Sequence, residues 1–330
     1  MTVSIDPCRS PQLTAIASGQ GATAPSDEYE HMLLSWGWQD NHLRMPDAGC
    51  RMPDAGCRMP DAGCRMPTMG DDEGIAHARG EIAMRIAVAG ATGNIGARTV
   101  AALEQAAHDV VRISRSLGVD LISGDGLDAA LTGVDAVVDA TSHETADRND
   151  TVAHFATATR NLLAAEECAG VRHHVLLSIV GIDRVEGNAH YAGKREQERL
   201  VAEGPVPWTI VPFTQFHDFA ATVTSWTEQD GIAPIPPLLV QPIAPADVAD
   251  ILAEIATGTP QGRYRDVAGP EPQDLVDMAR RTNDAHGHAV KLVPTWSSIL
   301  GEEMAGEVLL PGDNARIAPT TFDTWLAKPH

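Results

Sequence analysis

The 330-residue sequence predicts an α/β protein. A doubly wound parallel sheet carries a small C-terminal lobe and is preceded by a disordered N-terminal extension. Three observations lead there. Residues 85–212 alternate short, wholly apolar runs with helical patterns, the signature of strands buried on both faces and joined by helices. Residues 1–83 show no apolar periodicity. After Pro212 the texture changes, with prolines at 234, 236, 237, 242 and 245.

Taken in order, Arg85–Gly90 (RIAVAG) reads as the first strand, followed by a glycine-rich turn and a helix over Asn94–Ala107. Strands are expected at His108–Ser114 and Val119–Ser123, a short helical stretch at Asp128–Leu131, and a strand at Asp135–Ala140. A long helix over Asp147–Ala169 carries Val152, Phe155, Leu162 and Leu163 near helical spacing. The strands His174–Val180 and Trp208–Pro212 flank a helix over His190–Glu203. Right-handed crossovers then wind the sheet both ways. The lobe, residues 213–330, is expected to contain helices at Pro245–Thr257 and near Gln273–Asn283. Strands are expected there at Arg263–Ala268 and His288–Val293, and the lobe should lie over the carboxyl ends of the sheet.

The first 83 residues are of a different kind. Arg44–Cys50 (RMPDAGC) recurs without error as Arg51–Cys57 and Arg58–Cys64, and a fourth copy breaks off after Pro67. Each unit holds a Pro and a Gly and lacks an apolar seam, which excludes a coiled coil, and seven residues are too few for a solenoid unit. Identity without drift reads as a tandem duplication in the coding DNA. Met84 stands directly before the first strand, so either translation naturally starts there or the extension is a genuine disordered tail. Four of the five cysteines (Cys8, Cys50, Cys57, Cys64) fall in the extension at a spacing unlike metal-site motifs, and Cys168 falls in a helix. The expectation is no metal site and no structural disulfide framework.

Composition narrows the function. Aromatic residues are only 4%, so the core must be aliphatic. The net charge is −21, which argues against a nucleic-acid or anionic-membrane surface. Residues 85–330 hold 18 basic and 33 acidic side chains, so this acidity belongs to the folded body and not only to the extension. No apolar run of the ~18 residues needed to span a bilayer occurs. The first twenty residues also lack a continuous apolar stretch. A cytoplasmic protein is expected.

Chemistry concentrates after the first strand. Gly90-Ala-Thr92-Gly93-Asn94-Ile95-Gly96 joins a strand to a helix. Glycines there make a tight turn, admit a pyrophosphate close to the backbone and pack helix on sheet, while the helix N-terminus offers free N–H groups. Dinucleotide binding on a Rossmann sheet is expected. The next strand ends Arg112-Ile-Ser114-Arg115-Ser116, with no carboxylate to accept from a ribose 2′-OH. Guanidinium groups there suit a 2′-phosphate, which predicts NADP rather than NAD. Arg112 and Arg115 read equally as solvated charges if no cofactor binds. Asp125 is placed either to reach the adenine amino group or to serve as a turn residue.

These segments, with Leu-Leu-Ser178-Ile-Val-Gly, Tyr191-Ala-Gly-Lys194 and Trp-Thr-Ile-Val-Pro-Phe, resemble the atypical short-chain dehydrogenase/reductases, and within them the NmrA-like, NAD(P)H-binding branch. The resemblance covers about residues 84–270. It implies a Rossmann fold, an NADP preference, and either an oxidoreductase acting on a small carbonyl or quinone-like substrate or an NADP(H)-sensing regulator working through a protein partner. In catalytic members of the larger family a Ser positions the carbonyl, a Tyr donates the proton and a Lys tunes the Tyr. The matching residues are Ser178, Tyr191 and Lys194. The chain departs from the family's Tyr-x-x-x-Lys spacing: Lys194 is at i+3, Arg195 stands at i+4, and His190 lies four before Lys194. On a helix i+3 and i+4 flank the Tyr on opposite sides. Weaker candidates are His143 after the 135–140 strand, and Phe213, Gln215, Phe216 and His217 as pocket walls, with a packed or solvated role favoured for His217 over a catalytic one.

Overall fold

The computed structural model describes residues 83–328, apart from Glu144 and Ser298. The readings made for the N-terminal extension therefore lie outside the described residues.

In chain order the first half runs β1 (Arg85–Ala89), α1 (Asn94–Gln105), β2 (Asp109–Ile113), α2 (Leu127–Ala130), β3 (Ala136–Asp139), α3 (Arg148–Ala169), β4 (His173–Ile179), α4 (Ala189–Glu203) and β5 (Trp208–Phe213). The rest runs α5 (Phe219–Thr227), β6 (Ile232–Ile235), β7 (Leu239–Val240), α6 (Pro245–Thr257), β8 (Gly262–Arg263), β9 (Val267–Ala268), β10 (Gln273–Asp274), α7 (Leu275–His286), β11 (Lys291–Pro294), β12 (Arg316–Ile317) and α8 (Phe322–Leu326). The main sheet has the order β12-β9-β5-β4-β3-β1-β2, with β8 also paired to β5. Every pairing in it is parallel. Strand order reverses at β1, the point where ligands enter such sheets. Among the described residues no helix is long and apolar enough to cross a membrane.

Alternation along β1 shows the double winding. Ile86 and Val88 face the layer of α1 and α6, together with Leu103, Val248 and Leu252. Ala87 and Ala89 face the other layer, with Leu127, Leu162 and Val201. A third apolar cluster joins the lobe to the sheet's carboxyl end. It contains Val223, Ile235, Leu275, Met278, Phe322 and also Tyr191 of α4.

Two expectations need correcting. Val119–Ser123 is not a strand. Gly118, Gly124 and Gly126 all hold positive φ (84°, 82°, 80°), and Asp120 turns the chain back by accepting the Ile122 amide on Oδ1 at 2.7 Å. This leaves β2 as the sheet edge. The second concerns the residues after 212, which do not all form the lobe: α6 covers the sheet beside α1, and β8, β9 and β12 extend that sheet. The first turn of α6 begins at Pro245, whose missing N–H costs nothing there.

Candidate active site and cofactor cleft

The glycine loop is tied to the end of β2, with the amides of Gly90 and Ala91 both donating to the Ile113 carbonyl at 3.1 and 3.2 Å. Gly90 has φ +77°, and a Cβ there would meet the Ala140 carbonyl oxygen at 2.8 Å. A Cβ on Gly96 would overlap the Gly90 carbonyl, so only glycine lets α1 start this close to the loop. Gly93 caps α1 without any side-chain hydrogen bond, which leaves first-turn N–H groups to an anion. The loop therefore fits a dinucleotide diphosphate.

A single cavity of about 650 Å³ begins at this loop. Gly90, Thr92, Gly93, Asn94 and Ile95 line it, whereas Gly96 does not and serves the packing of α1. Ser114 and Arg115 line it too. Thr92 Oγ1, Ser114 Oγ and Ser116 Oγ form a hydroxyl chain with steps of 3.0 and 2.9 Å. Arg115 is exposed, and its side chain makes no hydrogen bond or ion pair with the described residues. The structure places the other two predicted cofactor residues elsewhere. Arg112 pairs with Glu104 on α1 at 2.5 Å, and Asp125 accepts the Asp120 amide on its backbone carbonyl at 2.9 Å; neither lines the cavity. Asp120, Leu121 and Ile122 line that end instead.

Ser178, Tyr191 and Lys194 all line the same cavity, but no hydrogen bond joins any two of them. Ser178, on β4, donates its hydroxyl to Glu198 of α4, which also receives Arg263 at 2.6 Å. The Tyr191 oxygen accepts from Gln215 Nε2 at 3.4 Å. Burial is the main reason its phenol is pushed up to about 12, so it keeps its proton at neutral pH. Lys194 is 3% exposed, and its Nζ donates to Gln197 Oε1 at 2.5 Å. Gln197 passes the chain on to Asp139 Oδ2 at 2.8 Å. Burial lowers the Lys194 amine to about 8, against the pull of the Asp139 and Glu198 carboxylates.

The local sequence explains this placement. Asn188 caps α4 by accepting the Tyr191 amide at 3.1 Å, which fixes where the Tyr-x-x-Lys turn begins. Gly193 lets α4 cross α3 closely, since a Cβ there would overlap the Phe155 ring. Lys194 Nζ then sits 5.4 Å from that ring. Arg195, at the family's usual Lys position, points away: it donates to the carbonyls of Ile182 and Val185 at 2.6 and 2.5 Å and straps the turn after β4.

His143, Phe213, Gln215 and Phe216 line the cavity as expected, and His143 stacks on His154 with ring centroids 3.7 Å apart. His217 is buried against Phe322 and Trp325 and bonds the Thr320 carbonyl at 3.1 Å. Sequence reasoning missed Asp139, Gln197 and Glu198, which hold the Lys and Ser. It also missed the wall built by α5 and residues 300–309. The Gln197 and Glu198 positions carry a faint signal, lying i+3 and i+4 from Lys194 on one helix face.

Residues 90–259, more than half of the chain, match the family model described as NAD(P)H-binding. The chain belongs to the NAD(P)H-binding family. Its doubly wound parallel sheet is of the Rossmann type that such NAD(P)H-binding proteins use. A curated relative from Streptomyces griseus, a (4-alkanoyl-5-oxo-2,5-dihydrofuran-3-yl)methyl phosphate reductase, is 33% identical over 205 residues, which cover 56% of this chain and 68% of that one. Among solved structures, the NADP complex of a Bacillus anthracis dTDP-4-dehydrorhamnose reductase superposes with a TM-score of 0.59 at 14% identity, covering 74% of this chain and 98% of that one. A Staphylococcus aureus nucleoside-diphosphate-sugar epimerase gives 0.54 at 17% identity, covering 74% and 100%. At these identities the solved structures speak to the fold of this NAD(P)H-binding protein and not to its substrate.

Proposed function

We propose that this chain is an NADPH-dependent reductase of a small molecule with a polarised double bond, such as a carbonyl, a quinone-like ring or an unsaturated lactone. One observation carries the reading. A single cavity reaches from the glycine loop and Arg115 at one end to a protonated, buried tyrosine at the other. The Streptomyces griseus relative, a reductase whose name describes an unsaturated lactone, supports the substrate class.

Gly90, Thr92, Gly93, Asn94 and Ile95 would hold the diphosphate, with Gly96 keeping α1 in place behind them. Arg115 and Ser114 would take the 2′-phosphate, which is the ground for NADP over NAD. When bound, the nicotinamide supplies a hydride to the electron-poor carbon of the substrate. Tyr191 supplies the proton. Its oxygen already accepts from Gln215, so its own hydrogen is left to point at a substrate oxygen or carbanion. Lys194 holds charge near the reacting groups from inside the Gln197–Asp139 network. Ser178, having given its hydrogen to Glu198, can only accept, so it orients a donor on the ligand or shifts its bond when substrate enters.

One observation favours the second reading, an NADP(H)-sensing regulator: Ser178, Tyr191 and Lys194 are each bonded to other partners. NADPH oxidation measured against aldehydes, quinones and unsaturated lactones, with Tyr191→Phe alongside, separates the two. Consumption that Tyr191→Phe abolishes supports the reductase. Tight NADPH binding with no consumption across the panel supports the sensor.

A further inference from the structure

The walls around Tyr191 differ in character from the rest of the cavity. Ile179, Phe219, Leu300, Met304 and Leu309 belong with Tyr191 to one apolar cluster, and all of them line the cavity. Phe219, Thr222 and Trp226 follow one another at i, i+3 and i+7 on α5, so one face of that helix forms a continuous wall. Trp226 is 39% exposed, which places a large apolar side chain at the edge of the opening.

Charge is distributed unequally as well. Among the described residues Arg115 is the only arginine lining the cavity, and it stands at the glycine-loop end. The two basic groups near Tyr191 are already committed. Lys194 Nζ is bonded to Gln197 and faces Asp139 and Glu198. His190 is packed edge-on to Phe155, with Nδ1 against the His143 carbonyl at 3.3 Å, and burial keeps it neutral down to about pH 4. Asp218, at the start of α5, also lines the cavity and accepts from Asn94 Nδ2 of the glycine loop at 2.6 Å. A phosphate ester entering beside Tyr191 would lose its water against apolar walls, and among the described residues no uncommitted cation lines that end to compensate.

We propose that the Tyr191 end of the cavity takes an uncharged, largely apolar molecule and excludes phosphate monoesters and other dianions. This rests on the reductase reading for the identity of that end as the substrate site. It separates this chain from its Streptomyces griseus relative, whose name specifies a phosphate ester. An alkyl or aryl tail would lie along the α5 face, with the polarised double bond near the Tyr191 hydroxyl.

The test uses a matched pair: an acyl-substituted unsaturated lactone bearing a hydroxymethyl group, and the phosphate monoester of the same alcohol. Binding of each is measured by calorimetry to the full chain saturated with NADP+, so that the ester cannot occupy the cofactor's own phosphate sites. The neutral alcohol is expected to bind at least tenfold more tightly. Thr222→Arg places a cation on the α5 face and is expected to narrow or reverse that ratio. Equal or tighter binding of the phosphate ester overturns the proposal, as does failure of the neutral alcohol to bind. An unchanged ratio in Thr222→Arg overturns the assignment of α5 as the substrate wall. Turnover of the same pair with NADPH is read separately. If the alcohol binds preferentially but neither compound is reduced, the reductase reading fails and the ligand class stands.

Discussion

Replacing Arg115 with alanine removes the one guanidinium that lines the cavity. The side chain is exposed and makes no hydrogen bond or ion pair with the described residues, so its loss should leave the melting temperature unchanged. Its proposed partner is the 2′-phosphate, which NADPH has and NADH lacks. A charge-assisted hydrogen bond is worth about 1.5–3 kcal/mol, or roughly 10- to 150-fold in affinity. Exposure to solvent argues for the lower end of that range, and the effect should shrink as salt is raised. Arg112→Ala is the matched control, because Arg112 is held by Glu104 at 2.5 Å and does not line the cavity. Calorimetric titration of both variants with NADPH and NADH, at one ionic strength, gives the answer. The expected result is a loss confined to NADPH in Arg115→Ala, with near-native affinities in Arg112→Ala. Equal losses for both cofactors, or an Arg112→Ala variant as impaired as Arg115→Ala, would refute the assignment.

Tyr191→Phe removes only a hydroxyl, so NADPH binding should survive while turnover falls by about 10²–10⁴-fold, the usual contribution of general acid catalysis. Lys194→Ala should lower kcat more than Arg195→Ala, which instead should cost thermal stability by freeing the turn that Arg195 straps to Ile182 and Val185. In Gly193→Ala the new Cβ overlaps Phe155 and comes within 2.8 Å of Thr151 Cγ2. Overpacking of this kind costs about 1–3 kcal/mol, readable by urea unfolding, and Phe155→Leu in the same chain should recover part of it. Burial holds His173 and His190 at about 4, below the ordinary histidine value of 6.5. The unfolded chain therefore takes up protons first, so stability present above pH 6.5 should be lost progressively as pH falls towards 4. Thermal unfolding across that window checks the sign, and a melting temperature that rises on acidification would contradict it.

What the sequence made legible is what short-range chemistry decides. β1, the glycine loop and α1 follow one another within twenty residues, and each glycine in the loop has a steric reason to be there. The Pro245–Thr257 helix is readable to its ends, because Pro245 and Gly258 punctuate it. Its position against α1 was not readable, since its apolar face fits a sheet as well as a lobe. Val119–Ser123 misled because Val119, Leu121 and Ile122 look like a strand, while the backbone conformation of Gly118 and Gly124 decides the matter. In the site, the Tyr191–Lys194 spacing predicted neighbours and the structure gives them different partners. Gln197 lies one turn along α4 from Lys194, but Gln215 after β5 and Asp139 at the end of β3 are brought in by tertiary packing that no local pattern encodes. The two arginines of β2 and its following turn show the same limit. Of two residues three apart in sequence, one is spent on Glu104 and one is left at the cavity.

On the proposed function, this cavity brings a hydride donor and an acid to one small molecule. A reaction run with NADPH deuterated at C4, followed by mass spectrometry of the product from a neutral aldehyde or unsaturated lactone, tests it directly. One deuterium is expected on carbon in the product, with label incorporation lost in Tyr191→Phe while NADPH still binds. Tight NADPH binding with no label transferred to any member of the panel would contradict it.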